Sequence, residues 1–239
     1  MIVKNTNNGW KIITQTGHAF LAAQLAQNLA EKYKRSFWLE TLLAVYNHET
    51  LETDFNSGSI LNSKGMPLDF RESKVSKAEV VKKIDTMVET VAYRSTIVNA
   101  LITRHLKFLH EDIFEKHKDK YDTIIETALE NYKIKKAEFE NMYSVLQFTD
   151  RLSLIICCDE LPKTDRKIEI NNVLNGESIF ISNQEEKYVI SPWPFNQKEI
   201  SVYNEFRNMK SASFSNEKEF MEEYHNMKIE SYSYSFNSK

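Results

Sequence analysis

Apolar residues recur at helical spacing over the first two thirds of the chain and at strand spacing after it. Leu21, Leu25 and Leu29 fall every four residues with alanines beside them, and Thr16 is placed to cap that helix. A second helix is expected from about Ser36 to Thr50, with Leu42, Val45, Tyr46 and Glu49 on one face. The segment NSGSILNSKGMPLDF, residues 56–70, breaks the pattern with Asn, Ser, Gly and Pro. Loops of this length often carry function. Helical patterning resumes from about Ser76 to Lys118 and continues from Asp119 to Asp159, ending in the apolar run LSLIICC; Pro162 closes the helical block. KIEI, SIFIS, KYVIS, EISVYNEF and KIESYSYSF then alternate at period two, with one amphipathic helix, SNEKEFMEEYHN, among them. At the start, Met1–Val3 and Trp10–Thr14 flank the turn cluster Asn5–Gly9 and predict a hairpin.

The expected class is α+β, mainly an α-helical bundle over residues 14–162. A small antiparallel β-sheet would be formed by a C-terminal part, residues 163–239, joined by the hairpin of residues 1–13. Composition supports a packed protein. Over 239 residues, 41% are hydrophobic and 27% charged, which disfavours wholesale disorder. The net charge of −3 argues against a surface built for duplex nucleic acid. Cys157 and Cys158 are the only cysteines and are adjacent, so they cannot staple distant segments. MIVKNTNNGW lacks the apolar stretch of a secretory signal, and a reducing cytoplasm is the expected location. The run Leu152–Cys158 is too short to span a membrane.

Five ionisable residues fall where the helical stripes should face the core. His105 has Val98, Leu101, Ile102, Phe108 and Leu109 as its helical neighbours. His18 precedes Leu21, Ala22, Leu25 and Leu29, and Glu49 follows Leu42, Val45 and Tyr46. His48 touches the same face, and Asp150 has Tyr143, Leu146 and Leu154 around it. A single histidine on such a stripe is ordinarily a hydrogen-bonded core residue, and Asp150 alone would be read as a cap or an ion pair with Arg104 or Arg151. Five together need partners, because burying a charge unpaired costs several kcal/mol. Mutual salt bridges are one solution. A divalent transition metal, Mn, Fe, Co or Zn, as one or two ions, is the other.

That arrangement resembles the HD-domain superfamily, in which a histidine, a later His-Asp doublet and a final aspartate bind metal inside a helical bundle. His18, the doublet His48-Glu49 and Asp150 match those positions, and His105 matches the extra histidine of two-metal members. The segments GWKIITQTGHAFLAAQLA, LLAVYNHETLETDF, NALITRHLKFLHE and QFTDRLSLIICCDE, with SPWPF, more closely resemble DUF3891, a family of uncharacterised bacterial proteins. The chain departs from the superfamily pattern at Glu49, where the doublet has Asp, and in TLETDF, where Glu52 and Asp54 follow it.

The resemblance implies an HD-like bundle with metal ligands His18, His48, Glu49, His105 and Asp150. It implies a metal-dependent phosphohydrolase acting on a phosphorylated small molecule or nucleotide, with Glu49 and His105 as catalytic residues; Arg104 joins them as a catalytic candidate because it adjoins His105, the plainer reading being a surface or interhelical salt bridge. His105 or His110 would serve a second ion. For a phosphate, the candidate cations are Arg104 and Arg151, which neighbour His105 and Asp150 in sequence, and Lys64 in the long loop. An HD-type diiron oxygenase is a second reading. A non-enzymatic binding module with a degenerate site is a third. The remaining features read as structural. His110 and His117 lie in a charged, solvated run, Cys157-Cys158 suit core packing, and Trp193-Pro194-Phe195 suit sheet-to-helix packing. P-loop, GxGxxG and GxSxG motifs are absent from the sequence. The SYSYSF strand needs pairing or a homodimer interface to cover it.

Overall fold

The computed structural model describes residues 1–49, 55, 59–72, 76–92, 95–164, 166–174, 176–185 and 187–238. Strands β1 (Ile2–Thr6) and β2 (Gly9–Ile13) form a hairpin in register Ile2 to Ile13. Gly9 closes its turn with φ +122°. A Cβ there would lie 2.0 Å from the Met209 carbonyl oxygen, so only glycine fits. Helix α1 (Gln15–Asn28) follows at once, because the Thr14 side chain accepts from the Gly17 amide at 2.9 Å. Helix α2 (Trp38–Asn47) is next.

The described part of the long loop, residues 59–72, folds back on the hairpin. Asp69 accepts from the Val3 amide and from the Arg71 Nε, and the Phe70 amide donates to the Met1 carbonyl. This covers the free edge of β1. Lys64 therefore belongs to a segment pinned to the hairpin. Glu52 and Asp54 lie outside the described residues.

Helices α3 (Lys77–Ala92), α4 (Thr96–Leu109), α5 (Glu111–Phe114), α6 (Lys118–Tyr132) and α7 (Lys136–Cys157) complete the helical part. The helical patterning over 119–159 resolves into two helices. The chain turns at Lys133, whose φ is +53°, and buries Ile134 in the turn. Strands β3 (Lys167–Asn171), β4 (Ile179–Gln184), β5 (Lys187–Ser191) and β6 (Glu199–Met209) follow, then helix α8 (Glu217–Asn226) and strand β7 (Glu230–Ser238).

The α+β class stands, but a mainly helical HD-like bundle with a small antiparallel sheet does not. The strands form one seven-stranded sheet in the order β1-β2-β6-β7-β5-β4-β3. The sheet is mixed, because β7 returns after α8 to lie parallel to β5 while pairing antiparallel with β6. Period-two alternation identifies strands without saying which pair, and the β7 crossover is set by tertiary packing. The SYSYSF strand pairs antiparallel with β6 along its length, and β5 joins its other side from Phe236 onward.

One hydrophobic cluster runs from Leu21, Leu25, Val45, Leu101, Phe148 and Leu152 of the helices to Ile181, Ile190, Ile200 and Phe236 of the sheet. Asn204 is the polar exception on that inner face, and its Nδ2 donates to Cys157 Sγ at 3.6 Å. Burial pushes the Cys157 thiol up to about 12, consistent with packing rather than redox chemistry. Phe195 packs on Phe148 across 6.4 Å, and the flanking backbone holds the end of α1 through Ala30 N to Pro194 O. Among the described residues, no helix is long and apolar enough to cross a membrane.

Candidate metal centre

Four helices bring His18, His48, Glu49, His105 and Asp150 to one point. The Thr14 cap places His18 in the first helical turns of α1. His48 ends α2, and its ring turns back so that Nδ1 donates to the Val45 carbonyl at 2.5 Å. That bond holds a proton on Nδ1 and aims Nε2 at the cluster. His105 comes from the middle of α4, and Asp150 from the 22-residue α7.

The distances between donors are informative. Asp150 Oδ1 lies 3.3 Å from His48 Nε2 and 3.7 Å from His18 Nε2, while Asp150 Oδ2 lies 3.9 Å from His105 Nε2. Glu49 Oε1 lies 3.8 Å from His18 Nε2 and 4.0 Å from His48 Nε2. Of these pairs, Asp150–His48 alone is close enough for a hydrogen bond. Ligands bound at about 2.0–2.2 Å to a common ion stand about 3–3.6 Å apart, near this spacing. The donors fall into two overlapping sets, His18-His48-Glu49 and His48-His105-Asp150, each within 4.8 Å. The rings of His18 and His48 meet edge-on at 5.0 Å, and those of His48 and His105 at 5.4 Å.

The histidines form the floor and the carboxylates the open side. The side chains of His18 and His48 are 0% exposed and that of His105 3%, against 16% for Glu49 and 14% for Asp150. Both His18 nitrogens are buried and lack a hydrogen-bond partner among the described residues, as does His105 Nδ1. Orphaned buried nitrogens are costly unless something ligates them.

The electrostatics follow. Burial, reinforced by the charge on His48, lowers His18 to about 3. Burial likewise lowers His105 to about 4, against the pull of Asp150. Burial opposes charge on His48 too, but the hydrogen bond and charge of Asp150, with Glu49, raise it to about 9. Asp150 also resists charge through burial, and its hydrogen bond from His48 and the nearby histidines lower it to about 2. The ion-free cluster is thus an Asp150 carboxylate paired with a His48 imidazolium beside two neutral imidazoles. Neutral imidazoles and a carboxylate are the forms that ligate a metal.

Arg104 makes its contacts elsewhere. Its Nε and Nη2 donate to Glu140 at 3.1 and 3.2 Å, and its guanidinium sits 4.4 Å over the Tyr143 ring. Arg151 faces Glu160 at 3.9 Å. His110 caps the end of α4, and Phe108 and Leu109 beside it are exposed, so the apolar stripe around His105 turns to solvent there. Sequence reading treated Tyr143 only as an apolar neighbour of Asp150. It is 1% exposed, its ring lies 6.2 Å from that of His105, and its hydroxyl is buried without a partner among the described residues. Its position seven residues before Asp150 was the available signal, but an aromatic at that spacing reads as core.

Residues 1–211 match the model of a protein family described as a protein of unknown function, DUF3891. The chain belongs to the DUF3891 family. The matched span includes all five converging residues of this DUF3891 protein. The match speaks for the family and not for a wider superfamily. No curated protein and no solved structure gives a match.

Proposed function

We propose that this DUF3891 protein holds one or two divalent transition-metal ions between His18, His48, Glu49, His105 and Asp150. We propose further that it hydrolyses a phosphoester in a small molecule or nucleotide. The observation that carries the metal reading is the convergence of three imidazoles and two carboxylates, from four helices, at 3.3–4.0 Å. The substrate class rests on the resemblance to metal-dependent HD phosphohydrolases. A bound ion of this kind supplies Lewis acidity and lowers the pKa of its water toward about 7. Substrate would approach from the carboxylate side, the only described side of the cluster with exposure. Glu49, at that opening, is placed to take the proton from an attacking water.

A second reading has a specific observation behind it. Arg104 and Arg151, the nearest cations in sequence, are both turned to glutamates. A histidine-carboxylate cluster without a free cation beside it, among the described residues, also suits an O₂-using diiron oxygenase. The experiment that separates them loads the protein with Mn, Co, Zn or Fe(II) and follows phosphate release from phosphomonoesters and nucleotides alongside O₂ uptake. Ion-dependent phosphate release, reduced about 10²–10⁴-fold in Glu49→Gln, is the expected result. O₂ consumption confined to the iron form would favour the oxygenase. Neither activity in ion-loaded protein would leave a binding module.

A further inference from the structure

A histidine that ligates through Nε2 must keep its proton on Nδ1, and a buried Nδ1–H needs an acceptor. His48 has one in the Val45 carbonyl. His105 has none among the described residues, although its Nδ1 is buried. The neighbouring ring is Tyr143, on α7, at 6.2 Å between centroids and 58° between planes. Its hydroxyl is likewise buried and without a hydrogen-bond partner among the described residues. Two adjacent buried rings therefore each carry one unmatched polar atom. A single polar group between them, or a small rotation of the phenol, would satisfy both.

The Tyr143 ring is also held by a cation. The Arg104 guanidinium stacks 4.4 Å over it, and Glu140 fixes that guanidinium with two hydrogen bonds. Glu140 and Tyr143 lie three apart on α7, and Arg104 and His105 are adjacent on α4, so both helices contribute to one chain of contacts. We propose that Tyr143 is the positioning residue for His105. Its phenol oxygen, directly or through one water, accepts the Nδ1 proton and presents Nε2 to the metal, and the Glu140–Arg104 pair holds the phenol in place. The inference rests on the metal reading and gives Arg104 a role outside the reaction itself.

The test uses Tyr143→Phe in the full chain, which keeps the ring and removes only the hydroxyl. Cobalt(II) affinity by competition with a chromogenic chelator, and the visible absorption of the bound cobalt, are measured beside wild type. The expected result is affinity weakened about 10- to 100-fold with altered absorption bands. The ion-free variant is expected to melt within a few degrees of wild type, because the ring and its packing stay and one hydrogen bond is lost. That combination is not what simple loss of packing gives. Wild-type affinity and an unchanged spectrum in Tyr143→Phe would overturn the positioning role while leaving the metal site intact. Wild type that binds no cobalt would overturn both.

Discussion

Replacing Asp150 by alanine is expected to weaken metal binding by more than about 100-fold, the upper range produced by losing an outer hydrogen-bond partner alone. Asp150 faces all three histidines. Asp150 Oδ1 lies toward His48 and His18, and Oδ2 toward His105. It is therefore the carboxylate that faces every imidazole of the cluster, while Glu49 supplies the carboxylate of the other donor set. Removing it also strands His48, which in the ion-free protein carries a buried positive charge balanced by Asp150. Breaking one side of such a pair costs about 3–5 kcal/mol if the charge persists. His48 can avoid that by releasing its proton. Titration calorimetry with Mn, Co or Zn measures the effect, with circular dichroism to confirm the helical content. Binding within a few-fold of wild type would show that Asp150 is only an ion-pair partner.

Ion-free protein is expected to be most stable near pH 6.5 and to lose stability on both sides. On the alkaline side the group is His48. Its folded pKa, about 9, lies above the ordinary imidazole value of 6.5, so its contribution is complete below pH 6.5 and disappears as pH rises through about 9. A difference of that size corresponds to on the order of 3 kcal/mol, or about 10 °C in Tm for a chain of this length. On the acid side, His18 and His105 have folded values of about 3 and 4. The unfolded chain takes up their protons first, so stability falls as pH drops below 6.5. Asp150, lowered from 3.8 to about 2, adds a further loss between those values. Thermal unfolding from pH 4 to 9.5 with a strong chelator present gives the profile. The Asp150→Ala variant isolates the His48 limb, because its alkaline decline should vanish. An alkaline limb of equal size in wild type and variant would contradict the pairing.

The five converging residues were legible because each interrupts an apolar helical stripe. His105 among Val98, Leu101 and Ile102 is the plainest case. Burial of an ionisable group leaves a local mark in the pattern, and the cost of burying several implies that they meet. What periodicity does not carry is the partner. Arg104 stands next to His105 in sequence, yet its guanidinium turns to Glu140, 36 residues away. Tyr143 looked apolar because an aromatic ring satisfies a core position whether or not its hydroxyl has work to do.

The sheet was underestimated for a related reason. Each strand was visible in its alternation, but strand order was not. After α8, whose Phe220 and Tyr224 share a cluster with Val3, Ile12 and Met209, β7 inserts between β6 and β5, antiparallel to the first and parallel to the second. With that pairing the strands become one seven-stranded layer that supports α1 and α7. The sheet thereby underlies the two helices that present His18 and Asp150.

The most direct measurement is the metal content of wild type and His48→Ala, purified together without a metal-affinity column and quantified by elemental analysis. His48 is the right residue because its Nε2 belongs to both donor sets. Near-stoichiometric Mn, Fe, Co or Zn in wild type, lost in His48→Ala, is the expected result. No metal in either protein, even after incubation with each ion and removal of the excess, would contradict it. The cluster would then be a buried ion-pair network between Asp150 and His48.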